Sequence, residues 1–519
     1  MRHGARSFIS MSVLVSVTML VAACSGSSSP PPVSTTYHGA AAPSGSWPYP
    51  DADLANTRVA PASVISAANV SSLREAWTFK LTGTAAAGVS YTGSMTAPPV
   101  VQNGVVYIQD QYANVYAVAL ATGKLKWEYQ VGIAEKSGPG PDGVAVAGGA
   151  VYGTSSNTVF ALNATTGKTI WVDSSLLNSG QGSFEIQPQV ADGRVYVASA
   201  YGSGPGGGLI LALNPSNGAV LWKFNTVIGQ GTAVQALGVG SGGAWEPPLV
   251  GSDGSVTFGI GNPYQTIGEA IAHPSRDLYT DSAVNLNAAT GKLRWYYQAV
   301  PNDFADHDLQ ASPISASIGG VPVIIVGGKV GIVYALNAQT GALLWKTPVG
   351  KHNGHDNDGL LLVEHKLTIK YPYTVEPGPL GGILSNMAVA DGSVYVATID
   401  LPIAYTGPQV ADGNKAAGGE SGEIEALSLA TGKVEWDTKV PTLPLGATTV
   451  SNDLVFTTLY TGTLIALNRA TGAIVYSQKL PTSTNAPIAV FGNTVLVPAG
   501  GPKTATGGGN PQLIAYTVP

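Results

Sequence analysis

Three short stretches of the chain carry side chains from which chemistry could be built. They are Gly259-Ile260-Gly261-Asn262-Pro263, then Pro301-Asn302-Asp303-Phe304-Ala305-Asp306-His307-Asp308, then Lys351-His352-Asn353-Gly354-His355-Asp356-Asn357-Asp358. Amide and carboxylate oxygens are the donors a hard cation takes, and a carboxylate beside a hydroxyl compound can accept its proton. Asp306 and Asp308 would point the same way from an extended segment. Asp303, Asp306 and Asp308 could equally cap a loop through Asx turns. The two histidines of the third stretch, with aspartates beside them, could bind a metal or line a pocket. That polar, glycine-containing stretch also reads as a solvated turn. Two single residues complete the inventory. Trp245 stands outside the repeated aromatic series described below, so its face could stack on a flat ring, or it could be a core or rim aromatic. Lys329 could stabilise an anion or be simply solvated.

The elements that would position these groups are short strands. One phrase recurs: an alternating apolar strand, a Thr-Gly or Asn-Gly turn, then a strand ending in an aromatic. It runs through Val115–Trp127, Val159–Trp171, Leu209–Trp222, Ala283–Trp295, Ile332–Trp345 and Ile424–Trp436, with a degenerate copy at Leu464–Tyr476. Period-two alternation marks half-buried strands, and the glycine supplies the positive φ of a tight hairpin. An eighth copy is split between Leu513-Ile514-Ala515-Tyr516 and Leu73–Trp77. Joining the two halves closes a ring and removes free sheet edges. The expected fold is therefore all-β, an eight-bladed propeller. The spacings Trp222 to Trp295 and Trp345 to Trp436 exceed a plain blade of about 40–50 residues. They hold insertions, where function tends to sit on a rigid scaffold. The repeated tryptophans themselves are expected to pack blade against blade.

Composition agrees. The chain has 519 residues, 66 glycines and 35 prolines, and only 11% are charged. Tight turns and short strands are favoured over charge-rich helices. The net charge of −6 comes with no basic stripe, which argues against a nucleic-acid partner. Cys24 is the one cysteine, so no intramolecular disulfide forms. Arg2 and Arg6, an apolar run from Phe8 to Ala23, and Val21-Ala22-Ala23-Cys24 resemble a bacterial lipobox. That resemblance implies export, cleavage after residue 23, and lipidation of Cys24. The alternative is an ordinary secretory signal. Residues 24–46 are Ser/Pro-rich and read as a tether, leaving 47–519 for the propeller. A multiply acylated cysteine anchors stably to a membrane at about 0.8 kcal/mol per buried CH₂.

The repeat, the blade count and the phrases above resemble the pyrroloquinoline-quinone (PQQ) dependent alcohol dehydrogenases and related PQQ-like propellers, over about residues 47–519. Asn56-Thr57-Arg58 resembles that family's entry turn. The resemblance implies that Asn262 ligates a metal and that Asp306 is the catalytic base. It implies that Asp308 is the extra acid of lanthanide-using members, so Asn262, Asp306 and Asp308 form the metal site. It places Trp245 under the quinone and Lys329 against the quinone oxygens. PQQ with Ca²⁺ or a lanthanide is the implied cofactor set, with an alcohol as substrate. No C-x-x-C-H motif exists, so electrons would pass to a separate acceptor. Four positions depart from the family. Ser137-Gly138-Pro139-Gly140 stands where paired cysteines would be, and Asp142 where a basic residue would meet a PQQ carboxylate. Ser203 falls nearest a metal-binding glutamate, and Met95 nears a cofactor-contacting one. An acid at 142 would repel a PQQ carboxylate. The expectation is an exported quinoprotein oxidoreductase. The alternatives are a non-catalytic propeller lipoprotein, acting as a scaffold or ligand-binding module, and a metal- or sugar-binding propeller.

Overall fold

The computed structural model describes residues 45–81, 93–131, 142–202, 207–227, 242–408, 421–501 and 510–519, with the backbone of 411–412. Cys24, the apolar segment before it, nearly all of the tether, Ser137–Gly140 and Ser203 lie outside the described residues.

Eight antiparallel blades are formed by the described residues, most of them meanders of consecutive strands. They cover residues 100–129, 145–173, 183–225, 249–298, 314–348, 388–440, 449–479 and 489–517. The eighth blade is completed by Arg74–Lys80, which pairs antiparallel with Gln512–Thr517 and sets Trp77 opposite Ala515. The split repeat thus closes the ring as the sequence implied. Inner strands are buried almost throughout, while the outermost strands are largely exposed, as Val220–Asn225 is around its buried Trp222.

Blade seams are built from one repeated contact. Seven tryptophan indoles donate to a backbone carbonyl of the next blade, among them Trp127 to Ala164 and Trp222 to Ala288, both at 2.9 Å. The face of each indole lies on the turn glycine of that blade. A Cβ placed on Gly291 would fall 2.5 Å from the Trp222 ring. Gly291 also has φ +68°. The glycine therefore serves the hairpin and the seam together.

The segment after Ser46 crosses between blades. Trp47 bridges Val101, and Ala55, Thr57 and Arg58 carbonyls accept from Ser315, Val389 and Val450. The fully buried Arg58 pairs with Asp51 at 2.6 Å and donates to Thr448, Thr449 and Ile488. Asn386 donates to Asp51 and, at 2.9 Å, to Glu246. Burial, then the nearby Asp51, pushes the Glu246 carboxyl up to about 8.

The two long spacings hold short extra elements. Helix α1 (Ile267–Ala272) starts on a Thr266/Glu269 capping box. Helix α2 (Asp358–Val363) and a small sheet of Tyr373–Val375, Ile403–Tyr405 and Ala411–Asp412 come from the second. Ile267, Ala270, Phe304, Ala305, Leu362, Val375, Ile403 and Tyr405 form one apolar cluster. Both insertions therefore meet over the Asp303–Asp308 stretch.

Glu246 gives a signed pH prediction. Its folded carboxyl titrates far above its unfolded value near 4.5, so the folded chain holds an extra proton between them and stability falls as pH rises from about 4.5 to about 8. Glu246→Gln should be the more stable protein at pH 9, by about 1–2 kcal/mol, with a flatter profile. Urea unfolding of both proteins at pH 5 and pH 9 measures this.

Candidate active site

Trp245, Asn262, Asp306, Asp308 and Lys329 come from blades four and five and the connection between them. Trp245 lies four residues before the first strand of blade four, Leu249–Val250, and Asn262 follows Ser255–Gly259. Asp303–Asp308 links the two blades, and Lys329 follows Val321–Val326. Because strands one and two of a blade run antiparallel, all these loops emerge at one end.

Backbone bonds lace the loops together. Gly261 donates to Gly243, Leu309 to Ile260, and Lys329 to Asp308. Gly261 lets two of these groups approach. A Cβ there would lie 2.6 Å from the Asp308 carboxylate and 2.7 Å from the Trp245 ring.

Four of the expected residues converge. Lys329 Nζ lies 2.8 Å from Asp306 Oδ2 and 2.5 Å from Asp308 Oδ2. The backbone N–H of Asn262 donates to Asp308 Oδ1 at 2.7 Å, and its side-chain amide donates to Asp306. Asp308 is fully buried, whereas a third of the Asp306 side chain is exposed. Asp306 is not extended as assumed for neighbouring acids. It has φ +61°, a left-handed turn that still brings both carboxylates to one ammonium. Burial raises Asp308 to about 6, with Lys329 opposing and Asp306 adding to the rise. Burial also raises Asp306, again against the pull of Lys329. Lys329 itself stays charged: burial lowers its pKa, but the two aspartates raise it further.

Other acids surround this core. Asp303 accepts from the backbone of Ala305 and His307, which is an Asx-type cap as well as a site wall. Asp281 was not marked by any motif. It is fully buried, both carboxyl oxygens lack a hydrogen-bond partner, and its N–H bonds Gly261. Burial, then Asp303, Asp308 and Asp306, pushes its carboxyl well above the usual carboxylate value. The buried Asp142 donates its N–H to Glu185, itself a buried acid. Met95 is buried in an apolar cluster and offers no charge.

A cavity of about 190 Å³ opens beside these groups, lined by Asn262, Tyr264, Gln265, Asp303, Phe304 and Asp306. That is roughly six water volumes. The partly exposed base candidate therefore faces space for a small molecule.

Trp245 has company that the sequence did not signal. Its ring lies 6.5 Å from that of Tyr201 at 14°, and Tyr201 lies 5.5 Å from Tyr264 at 16°.

The third stretch resolves into separate pairs. His352 Nδ1 meets Asp356 at 2.7 Å, and its Nε2 meets the Gly331 and Val349 carbonyls. His355 meets Asp358 and Tyr373, both at 2.8 Å. The two histidines are taken by different acids, so they anchor the loop beside α2 and do not converge on one ion.

Comparison with known proteins agrees with this fold. A family model described as the β-propeller domain of glucose/ethanol/alcohol dehydrogenases matches residues 47–146. One described as outer membrane protein assembly factor BamB matches 133–366, 280–447 and 420–517. Quinoprotein alcohol dehydrogenase PedH of Pseudomonas putida is 27% identical over 385 residues, covering 67% of this chain and 62% of that protein. The quinohemoprotein alcohol dehydrogenase of Comamonas testosteroni is 26% identical over 84% of this chain and 69% of its own. Against quinohemoprotein alcohol dehydrogenase ADH IIB of Pseudomonas putida, the match spans only 52% of that protein. Among solved structures, the Comamonas testosteroni enzyme superposes with TM-score 0.79 at 23% identity, over 92% of this chain and 81% of that one. A europium-containing methanol dehydrogenase gives 0.75 at 19%, over 91% and 98%. BamB of Moraxella catarrhalis gives 0.52 at 13%, over 86% and 97%. At these identities the structural matches establish the fold.

Lys329→Met should unfold more readily at pH 8 by about 3–5 kcal/mol, because two buried carboxylates lose their cation. Those carboxyls would then rise further, the folded state would bind more protons than the unfolded one, and stability would fall as pH rises. The loss should therefore be smaller at pH 5. Denaturant melts of both proteins at the two pH values provide the check.

Proposed function

The chain belongs to the family of PQQ-type β-propellers, and from that premise we propose that it is a PQQ-dependent oxidoreductase acting on a small alcohol. The observation that carries the proposal is the convergence of Asn262, Asp306, Asp308 and Lys329 beside a cavity.

The donor set suits a hard cation. Asn262 brings a carbonyl oxygen, and Asp306 and Asp308 bring carboxylates, which fit Ca²⁺ or a lanthanide. Trp245 offers the flat face for a planar ring. When bound, PQQ with its cation supplies an electrophilic quinone carbonyl that accepts hydride. The chain's own residues do the rest. Asp306, partly exposed and lining the cavity, accepts the hydroxyl proton of the alcohol. Lys329 balances the two aspartates and stabilises negative charge that develops near them. Phe304 and Tyr264 supply apolar walls that narrow the cavity around a short chain. Electrons then leave to a separate acceptor.

Asp142 sets a condition on this reading. A buried acid near the place of a cofactor carboxylate opposes a polyanion, and a bound cation offsets it. PQQ binding in this protein should therefore depend on metal. A second reading, a non-catalytic propeller, is favoured by that same acid and by the BamB model match. Export and anchoring through a lipidated Cys24 belong to the proposal as well.

Two experiments bear on these readings. Residues 25–519 are mixed with PQQ and Ca²⁺ or La³⁺, and dye reduction is followed with short alcohols. Turnover should require a metal, and Asp306→Asn should lower it about 100-fold or more. Metal-independent turnover, or an active Asp306→Asn protein, would contradict the assignment. For the anchor, wild-type protein should take up labelled palmitate in a bacterial host, and Cys24→Ala should take up none.

A further inference from the structure

We propose a cation site outside the active centre: Glu423, Glu425 and Asp437, with the hydroxyl of Thr398, take a Ca²⁺ ion where blade six meets the end of blade five.

The register of blade six puts these groups on one face. Its strand Ser421–Ser428 sets Glu423 opposite Thr398 on one side and Lys439 on the other, and sets Glu425 opposite Asp437. Directly opposed residues share a face, as do residues two apart. Carboxylate oxygens of Glu423, Glu425 and Asp437 lie within 4.8 Å of one another. Thr438, on the other face, donates to Gly472 of blade seven, so the acids look toward blade five. There Glu425 accepts from the Gly350 N–H at 2.7 Å.

Thr398 points to a ligand independently. It is fully buried, and its hydroxyl has no hydrogen-bond partner. A Cβ on Gly350 would lie 3.0 Å from that hydroxyl oxygen and 3.4 Å from the Asp400 carboxylate. The hydroxyl is thus aimed at the same glycine whose N–H the Glu425 carboxylate holds. A buried oxygen without a partner, beside gathered carboxylates, is what an oxygen-seeking cation satisfies.

Charge agrees. Lys439 pairs with Glu423 and, at 2.8 Å, with Asp437, and Lys351 lies 3.3 Å from Asp400. Both lysine side chains are more than half exposed, so they can turn to water when an ion enters. Burial pushes the Glu425 carboxyl up to about 7 against the Gly350 N–H, and Asp437 and Glu423 add to the rise. Because Lys439 must be displaced, this site is weaker than the one at Asn262, with a Kd on the order of 10⁻⁴–10⁻³ M, the range of extracellular Ca²⁺ modules. Gly350 leads through the Lys351–Asp358 stretch into α2, whose Leu362 shares an apolar cluster with Phe304. The ion therefore ties blade six to the root of the insertion that covers the active centre.

Titration calorimetry on residues 25–519 carrying Asp308→Asn, which removes the tighter site, tests this; Asn262→Ala is the background if Asp308→Asn does not fold. One Ca²⁺ per chain should bind in the stated range, and Mg²⁺, which demands a stricter octahedron, about tenfold more weakly. Adding Glu425→Gln should weaken Ca²⁺ binding about tenfold. Thr398→Val should be at least as stable in EDTA, since an unpartnered buried hydroxyl is gone, yet bind Ca²⁺ about threefold more weakly. Lys439→Gln should bind it about 3–5-fold more tightly, because the competing ammonium is removed. No saturable Ca²⁺ binding up to the millimolar range, or an affinity unmoved by Glu425→Gln and Thr398→Val, would overturn the inference, and so would weaker binding in Lys439→Gln.

Discussion

Lys329 holds two carboxylates, Asp306 and Asp308, that would otherwise repel each other inside the protein. Everything useful about the centre follows from that arrangement. Asp308 is buried and tied to the Asn262 backbone, so it is fixed. Asp306 shares the same cation but keeps one side open to the cavity. A single ammonium thus separates two like groups into an anchored acid and a reachable one. Such a cluster stays in place only on a rigid support, because its groups come from loops of two blades. The tryptophan-on-glycine seams supply that rigidity around the ring.

The same cluster explains how a cation and a base can share a site. The Asp306 and Asp308 carboxylates already gather around the Lys329 ammonium, and the Asn262 amide donates to Asp306 beside them. Burial and neighbouring carboxylates raise the pKa of Asp281 and Asp303 behind them. Burial and mutual repulsion push those acids toward protonation, so the interior tolerates them only partly charged. A divalent or trivalent ion would relieve that repulsion. The buried Asp142 and Glu185 add acids that disfavour a polyanion by itself.

Much of this was legible in the sequence. Period-two strands, a glycine turn and a terminal tryptophan repeat often enough to fix the blade count, because every blade must solve the same packing problem. The second reason for the glycine, contact with an indole from the previous blade, is a relation across the seam that no single repeat displays. Asn262, Asp306, Asp308 and Lys329 were found because they sit in phrases resembling a known family. Asp281, Tyr201 and Tyr264 were not, since each acts through neighbours distant in sequence. Asp306 turns through positive φ and still meets Asp308 at one ammonium, which period arguments do not detect. The Lys351–Asp358 loop looked like a metal site because its residue types are right, yet its histidines pair with separate acids.

Metal stoichiometry tests the central claim most directly. Equilibrium dialysis of residues 25–519 against Ca²⁺ and La³⁺ should show one tight ion per chain. That ion should be lost in Asp308→Asn and in Asn262→Ala, while His355→Ala leaves it unchanged. Binding that survives both substitutions would contradict a cation site at Asn262, Asp306 and Asp308.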